Sequence, residues 1–188
     1  MNQDAVFHES VRFIEKKIQH ILEKISQHEI DSVICLFFKA KRIFVYGAGR
    51  SGLVAKAFAI RLVHLGFQTF VIGETIGAPV KKGDLVCIIS GSGETIPAVM
   101  TAEITKNIGA KLVVFTGNQS SRITKFADIS LILSTECNDH ERKNFAPLGT
   151  LFEASAWILL DGIISELMHK KRETEETMRS RHATLELP

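Results

Sequence analysis

LVCIISGSGETIPAVM, residues 85–100, joins an apolar segment to a loop of glycines and hydroxyl side chains. Its first residues are mostly β-branched or otherwise apolar, which is typical of a buried strand, and its last residues belong to a predicted helix. In the loop SGSGET, four of the six residues are small, three have hydroxyl groups and none is cationic. A strand, a loop of small residues and a helix in this order indicate one unit of an α/β fold.

The sequence around this unit repeats the alternation of strand and helix. Strands are predicted at residues 42–46, 68–73, 84–90, 111–117 and 128–133. Helices are predicted at residues 51–65 and 95–108, with a short one near 121–126. Strands that are almost continuously apolar and alternate with helices are typical of a parallel sheet with both faces covered. The sequence therefore predicts a three-layer α/β/α sandwich.

Helical segments are predicted on both sides of this core. Apolar residues recur at spacings of three and four over residues 6–25, which predicts an amphipathic helix, and a second helix is predicted at 30–40. A largely apolar helix at 149–170 and a charged helical tail follow the core. At this chain length one hydrophobic core is the expectation. We expect a single domain over residues 1–188, divided into a helical arm at 1–40, a parallel α/β core at 41–135 and C-terminal helices at 147–188.

The composition excludes several classes of protein. The 23 basic and 21 acidic residues nearly cancel and form no long basic run, so neither nucleic acid nor an anionic membrane is an expected partner. Three widely spaced cysteines indicate neither a disulfide framework nor a zinc site. No signal peptide is apparent, and no apolar run reaches the roughly 18 to 20 residues of a membrane span. A cytoplasmic protein that binds a small molecule is the expectation.

The SGSGET loop has the composition of an anion site even though it lacks a cation. A helix start has unpaired N–H groups and a partial positive charge, and these can hold a phosphate group. Gly91 and Gly93 would let the backbone approach the anion closely. Ser90, Ser92 and Thr95 would donate hydrogen bonds, and three hydroxyls suit the three terminal oxygens of a phosphomonoester. The alternative is a tight turn in which one hydroxyl caps the helix.

A second loop, GAGRSG at residues 47–52, has the same character. It matches the GxGxxG pattern of dinucleotide-binding proteins, and Glu74 could then contact a ribose, so a nicotinamide enzyme is one alternative. Ser51, however, adds a hydroxyl to this loop, and a dinucleotide site has no counterpart of SGSGET. Loops that follow neighbouring parallel strands face one crevice, where open α/β sheets bind ligands. We therefore expect the two loops to hold one phosphate.

The motifs YGAGRSG, RLVHLGF, DLVCIISGSGET, APLGTLFEASAWILLDGIISELM and RHATLE together resemble the sugar isomerase (SIS) domain family. Within that family they are similar to the 6-phospho-3-hexuloisomerases, and the resemblance covers essentially the whole chain. It implies a five-stranded parallel sheet in flavodoxin-like order and a tetramer with some site residues supplied by a neighbouring subunit. It also implies interconversion of D-arabino-hex-3-ulose 6-phosphate and D-fructose 6-phosphate, a step of formaldehyde fixation in the ribulose monophosphate pathway.

The resemblance also implies which side chains perform the chemistry. The glutamate of PLGTLFE, Glu153 here, is the expected base, and its apolar surroundings support a functional role because a buried carboxylate is costly. His64 and His182, in RLVHLGF and RHATLE, compete for the second catalytic role, with His64 preferred and His182 reaching across a subunit interface. In the simpler alternatives, Glu153 complements a helix start, His64 is a packed residue and His182 is exposed.

The remaining site residues belong to the two loops. Glu94 raises a question because an acid beside a phosphate repels it, and we expect it to point outward from the first turn of its helix. Arg50 could pair with phosphate or substrate oxygens, or point away. The residues expected to bind phosphate and substrate are Gly49, Arg50, Ser51, Ser90, Gly91, Ser92, Gly93, Glu94 and Thr95.

Two other functions fit the same phosphate loops. One is a different SIS phosphosugar isomerase, such as an arabinose 5-phosphate isomerase. The other is a non-catalytic SIS sensor that binds a sugar phosphate and regulates a partner.

Moving a carbonyl from C3 to C2 requires a carboxylate or an imidazole near an enediol, and the sequence offers no cluster of metal ligands. We expect no metal and no other cofactor.

Overall fold

The computed structural model of the protein describes residues 6–134 and 136–183. Within these residues five strands form one parallel sheet in the order β2-β1-β3-β4-β5, which is the predicted flavodoxin-like order. The strands are β1 (Ile43–Gly47), β2 (Thr69–Val71), β3 (Leu85–Ile89), β4 (Lys111–Thr116) and β5 (Ile129–Ile132). The helices are α1 (Val6–Leu22), α2 (Gln27–Lys39), α3 (Arg50–His64), α4 (Ile96–Ile108), α5 (Asp139–Phe145), α6 (Thr150–Lys171) and α7 (Glu175–Arg179).

Side chains of the strands alternate between the two faces of the sheet, because successive residues of a strand point to opposite sides. On one face, Val45, Cys87 and Phe115 pack against α1, α2, α3 and α6. On the other face, Phe44 and Ile88 pack against α4 and a short 3-10 helix at Ile123–Lys125. Both faces of the sheet are therefore covered, which confirms the predicted three-layer sandwich.

The helix α6 is the central element of the first face. It contacts α1, α2 and α3, and nine of its residues are buried along its length. In the described part of the chain no single helix is long and apolar enough to cross a membrane. The helices α5 and α6 reach that length and composition only as a pair, which is bent by 72°.

The helix α5 is the element that sequence reasoning missed. It has only seven residues and none is buried, so it has no apolar period to detect. The Asn138 side chain caps it by accepting hydrogen bonds from the N–H groups of His140 and Glu141. Asparagine followed by acidic residues is a helix-start signal that the sequence contains.

An ion pair joins the segments that lead into β1 and β3. The Arg42 guanidinium donates two hydrogen bonds to Asp84, from Nε to Oδ1 at 3.1 Å and from Nη2 to Oδ2 at 2.6 Å. The Lys81 N–H also donates to Oδ2, at 2.7 Å, and Asp84 is only 2% exposed. Burial by itself raises the pKa of Asp84, but these hydrogen bonds outweigh burial and lower that pKa below its ordinary value.

Replacing Asp84 with asparagine tests this ion pair. We expect Asp84→Asn to lower the free energy of unfolding by about 1 to 2 kcal/mol at pH 7, because charged hydrogen bonds are lost but Arg42 stays partly solvated. The carboxylate pKa is lower in the folded state, so its contribution is present at neutral pH and is lost as the pH falls below the ordinary value of 3.8.

Urea denaturation at several pH values measures both effects. Asp139→Asn is the matched control, since Asp139 forms its ion pairs at the surface and should change stability little. An Asp84→Asn protein as stable as the wild type at pH 7 would contradict this account.

Candidate active site

A polar cavity of about 210 Å³ lies at the carboxyl ends of β1 and β3. We call it the cradle. The two strands are neighbours in parallel register, with Gly47 beside Ile89, so the loops that follow them lie side by side as predicted. The cradle is lined by Ala48, Ser51, Ile89, Ser90, Gly91, Ser92, Thr95, Gly149, Phe152 and Glu153.

The helices α3 and α4 both begin at the cradle without a side-chain cap. Gly49 precedes α3 and Thr95 precedes α4, and neither residue makes a side-chain hydrogen bond to its helix start. The interpretation of Thr95 as a simple helix cap is therefore not supported. Two helix starts whose first N–H groups lack a capping side chain can bind one anion by hydrogen bonds and by their dipoles.

Four hydroxyl groups line the cradle with their donor capacity available, those of Ser51, Ser90, Ser92 and Thr95. The Ser90 Oγ accepts a hydrogen bond from the Gly93 N–H, and the Ser92 Oγ accepts one from the Glu94 N–H, both at 3.2 Å. These bonds hold the loop and leave each O–H proton for another acceptor. Ser51 is 8% exposed, and its hydroxyl makes no hydrogen bond to another described side chain or backbone group. The set can donate to the oxygens of a phosphate group.

Glu94 does not face the cradle. Its carboxylate accepts hydrogen bonds from the N–H and Nε of Arg122, at 2.8 and 2.5 Å, and the Glu94 carbonyl accepts one from Nη2 at 2.8 Å. The hydrogen bonds from Arg122 hold the pKa of Glu94 below its ordinary value. Glu94 lies before α4 instead of in its first turn, and its charge is turned away from the anion site, toward an arginine that sequence reasoning did not single out.

The features behind the dinucleotide alternative have other roles here. A Cβ atom at Gly47 would lie 2.5 Å from the Ser51 carbonyl oxygen, so this glycine allows the strand end to approach the helix start. Glu74 pairs with Lys56 at 2.6 Å and does not line the cradle. The cradle is also small compared with the roughly 300 to 1,000 Å³ of drug-sized ligand pockets.

Glu153 lies at the boundary between the cradle and an apolar groove. It is in the first turn of α6, and its side chain is 13% exposed. The Arg50 Nε lies 2.9 Å from its Oε2, but no hydrogen bond satisfies that buried oxygen. The contact is therefore an ion pair whose N–H is not directed at the oxygen. A buried carboxylate oxygen that accepts no hydrogen bond from the described residues is costly, which is typical of a functional group.

Arg50 lines the adjoining groove and not the cradle. Its side chain is 65% exposed and donates no hydrogen bond to a described residue. The groove has a volume of about 380 Å³ and is lined by Arg50, Leu53, Val54, Glu153, Ala154, Trp157 and Ile158. A ligand whose anionic end occupies the cradle would pass Glu153 on its way into this groove.

The two candidate histidines lie together, but away from the cradle. Their imidazole rings stack, with centroids 4.4 Å apart and an angle of 25° between the planes. His64 is buried and ends α3, about 20 Å along the helix from Arg50 at 1.5 Å per residue. His182 belongs to the tail motif, whose residues 184–186 lie outside the described residues. Within one chain neither histidine lines the cradle.

Comparisons with a family model, with curated proteins and with solved structures all find similar proteins. The family model described as the SIS domain matches residues 36–152. The 3-hexulose-6-phosphate isomerase of Bacillus subtilis is 38% identical over 95% of this chain and 98% of its own length, and an uncharacterized protein of Archaeoglobus fulgidus is 41% identical over 94% and 100%. A crystal structure from Methanococcus jannaschii, for which a molecular function of 3-hexulose-6-phosphate isomerase was inferred, has a TM-score of 0.85, 32% identity, and coverage of 94% and 99%.

Replacing Gly93 with alanine tests the packing of the SGSGET loop. Gly93 has a φ of +64°, and a Cβ atom there would lie 2.3 Å from the Ser121 Oγ. We expect Gly93→Ala to be less stable and to weaken the binding of a sugar phosphate, measured by thermal melting and calorimetry. Gly73→Ala is the matched control, because Gly73 also has a positive φ but open space around it. Equal losses in both variants would show that backbone strain alone is responsible.

Proposed function

The chain belongs to the SIS domain family, and we propose that it is a 6-phospho-3-hexuloisomerase. Three relatives named 3-hexulose-6-phosphate isomerase are 34 to 38% identical over most of the chain and support the coarser assignment, a sugar-phosphate isomerase. The finer proposal is interconversion of D-arabino-hex-3-ulose 6-phosphate and D-fructose 6-phosphate in the ribulose monophosphate pathway, in the cytoplasm.

The observation that carries the proposal is the position of Glu153. Its buried Oε2 accepts no hydrogen bond from the described residues, and Glu153 lines both the cradle and the groove. A carboxylate beside a bound sugar phosphate can serve as a general base for a carbon-bound proton. Binding of the phosphate alone does not require a buried carboxylate beside the cradle, and its position therefore favours an isomerase over a sensor.

In the proposed reaction Glu153 removes the proton from C2 of the hexulose. The electron pair forms a C2=C3 double bond, and negative charge develops on the oxygen of C3. The hydroxyl proton on the C2 oxygen passes to the C3 oxygen, and Glu153 returns its proton to C3, which leaves a carbonyl at C2 and a hydroxyl at C3. The Arg50 guanidinium lies beside Glu153, and its N–H groups can stabilise the enediolate oxygen.

The proposed substrate needs no ring-opening step in this direction. A five-membered ring on C3 would have to use the oxygen of C6, and that oxygen carries the phosphate. The hexulose 6-phosphate therefore arrives open-chain and can extend from the cradle past Glu153. In the reverse direction the enzyme requires the open form of fructose 6-phosphate.

The central test is turnover of D-arabino-hex-3-ulose 6-phosphate, followed by a coupled assay for fructose 6-phosphate. Glu153→Gln should retain sugar-phosphate binding and lose about 10²- to 10⁴-fold in kcat, because the general base is absent. Ser90→Ala is the comparison variant and should mainly raise KM, since it removes a phosphate donor. Near-normal kcat in Glu153→Gln would remove Glu153 from this role, and turnover of arabinose 5-phosphate alone would indicate a different isomerase.

We further propose that active sites are completed between subunits of a homotetramer. An apolar strip separates Glu153 from the histidine pair, and it consists of exposed side chains of α3 and α6: Leu53, Ile60, Trp157 and Ile158. Trp157 lines both the groove beside Glu153 and a second groove, of about 240 Å³, beside the two histidines. Two copies packed through this strip about a two-fold axis would bring each histidine pair toward the other copy's Glu153.

Mixing variants tests this arrangement. Glu153→Gln and His182→Ala should each be nearly inactive, but equal mixing with subunit exchange should restore about a quarter of wild-type activity, because each hybrid pair has one intact site. As a control, wild type is mixed equally with the double variant Glu153→Gln/His182→Ala. The activity per total amount of chain should then be about a quarter of the wild-type value if sites are shared, and about half of it if each chain has a complete site. No recovery after verified exchange would contradict shared sites.

A further inference from the structure

We propose that Arg181 and Glu173 form a clasp that positions His182 against His64. The clasp consists of the Arg181 guanidinium, the Glu173 carboxylate and the carbonyl oxygen of His64. This inference rests on the proposed function, because it concerns the histidine pair expected to serve the isomerase. Arg181 and Glu173 are positioning residues in this account, and neither touches the substrate.

The Arg181 guanidinium joins two parts of the chain that are far apart in sequence. Its Nη1 donates a hydrogen bond to the His64 carbonyl oxygen at 2.9 Å, across 117 positions. The same nitrogen lies 2.9 Å from Glu173 Oε2, and Nη2 lies 3.1 Å from Oε1, which gives a two-pronged ion pair. The last carbonyls of a helix have no partner within the helix, and a cation there is stabilising. Arg181 therefore binds the end of α3 specifically.

Glu173 ties this contact to the end of α6. Its N–H donates to the Met168 carbonyl at 3.0 Å, just after the last turn of that helix. Its Oε2 also accepts a hydrogen bond from the Thr177 hydroxyl at 2.5 Å, and this fixes the start of α7. The hydrogen bonds from Arg181 and Thr177 hold the pKa of Glu173 below its ordinary value, and its side chain is only 14% exposed. The carboxylate thus connects α6, α7 and the tail.

The position of His182 follows from these contacts. It is the residue after Arg181, and its N–H donates to the Arg179 carbonyl at 3.0 Å. With the Arg181 side chain held on the end of α3, the next side chain lies against the last residue of that helix, and the two imidazoles stack. A planar guanidinium that makes two parallel hydrogen bonds to a carboxylate fixes the orientation of its side chain more strictly than an ammonium group would. The clasp therefore sets the geometry of the pair.

A positioning role makes a specific kinetic prediction. Arg181→Gln should lower kcat about tenfold or more with little change in KM, because misplacing a reacting group reduces the rate while the cradle is untouched. If Arg181 acts through His182, the double variant Arg181→Gln/His182→Ala should be no slower than His182→Ala alone. Independent effects that multiply in the double variant would overturn the proposal.

The chain provides matched controls. Arg179→Gln removes a neighbouring arginine that is 65% exposed and pairs only with Glu175 among the described residues, so it should leave kcat unchanged. Arg181→Lys keeps a cation at the end of α3 but lacks the planar guanidinium, and it should show an intermediate kcat. Thermal melting checks that each variant folds. If Arg181→Gln does not fold, Arg181→Lys provides the test instead. A kcat for Arg181→Lys equal to that of the wild type would overturn the two-pronged requirement.

A measurement without substrate separates this proposal from the proposed function. The ring resonances of His182, assigned by comparison with His182→Ala, should shift in Arg181→Gln and not in Arg179→Gln. Unchanged His182 resonances in a folded Arg181→Gln protein would overturn the clasp even if the isomerase is active. Conversely, a wild type that does not turn over the hexulose phosphate would refute the proposed function, while shifted resonances would still support the clasp.

Discussion

The parallel pairing of β1 with β3 is the constraint on which the site depends. It places Gly47 beside Ile89, so the two strand ends and the loops that follow them lie at one edge of the sheet. The sheet order changes direction at this pair, and the crevice between such strands is where open α/β sheets bind ligands. Two helix starts without side-chain caps then converge on one small cavity.

The cradle needs no cation because its favourable charge comes from backbone dipoles. The N–H groups at the starts of α3 and α4 and the four hydroxyls of the lining supply the donors. The acid of the SGSGET motif does not oppose them, since Arg122 binds its carboxylate on the outside of the loop. The first turn of α6 then places Glu153 at the edge of the cradle, where it can act on the carbon chain of a bound sugar phosphate.

The chemical groups of the proposed reaction lie at two ends of one surface. The cradle and Glu153 are at one end of α3 and α6, and the histidine pair is at the other, with an apolar strip between them. In the proposed mechanism one chain would therefore hold the phosphate and supply the base, while its own histidines lie away from both. In the proposed assembly a two-fold axis through the strip resolves this separation, and the clasp of Arg181 and Glu173 keeps the histidine pair in a defined orientation for the neighbouring subunit.

The sequence by itself determined the order of the strands and of the long helices, the sandwich class and the two loops of small and hydroxyl residues, because apolar periodicity and loop composition act over short distances along the chain. Its motifs also singled out Glu153, whose role as base stays a prediction. Only the tertiary structure paired Glu94 with Arg122 across 28 positions, and Arg181 with His64 across 117. It also separated the histidines from the cradle. Such contacts depend on how whole helices pack on the sheet, and no local pattern encodes that packing.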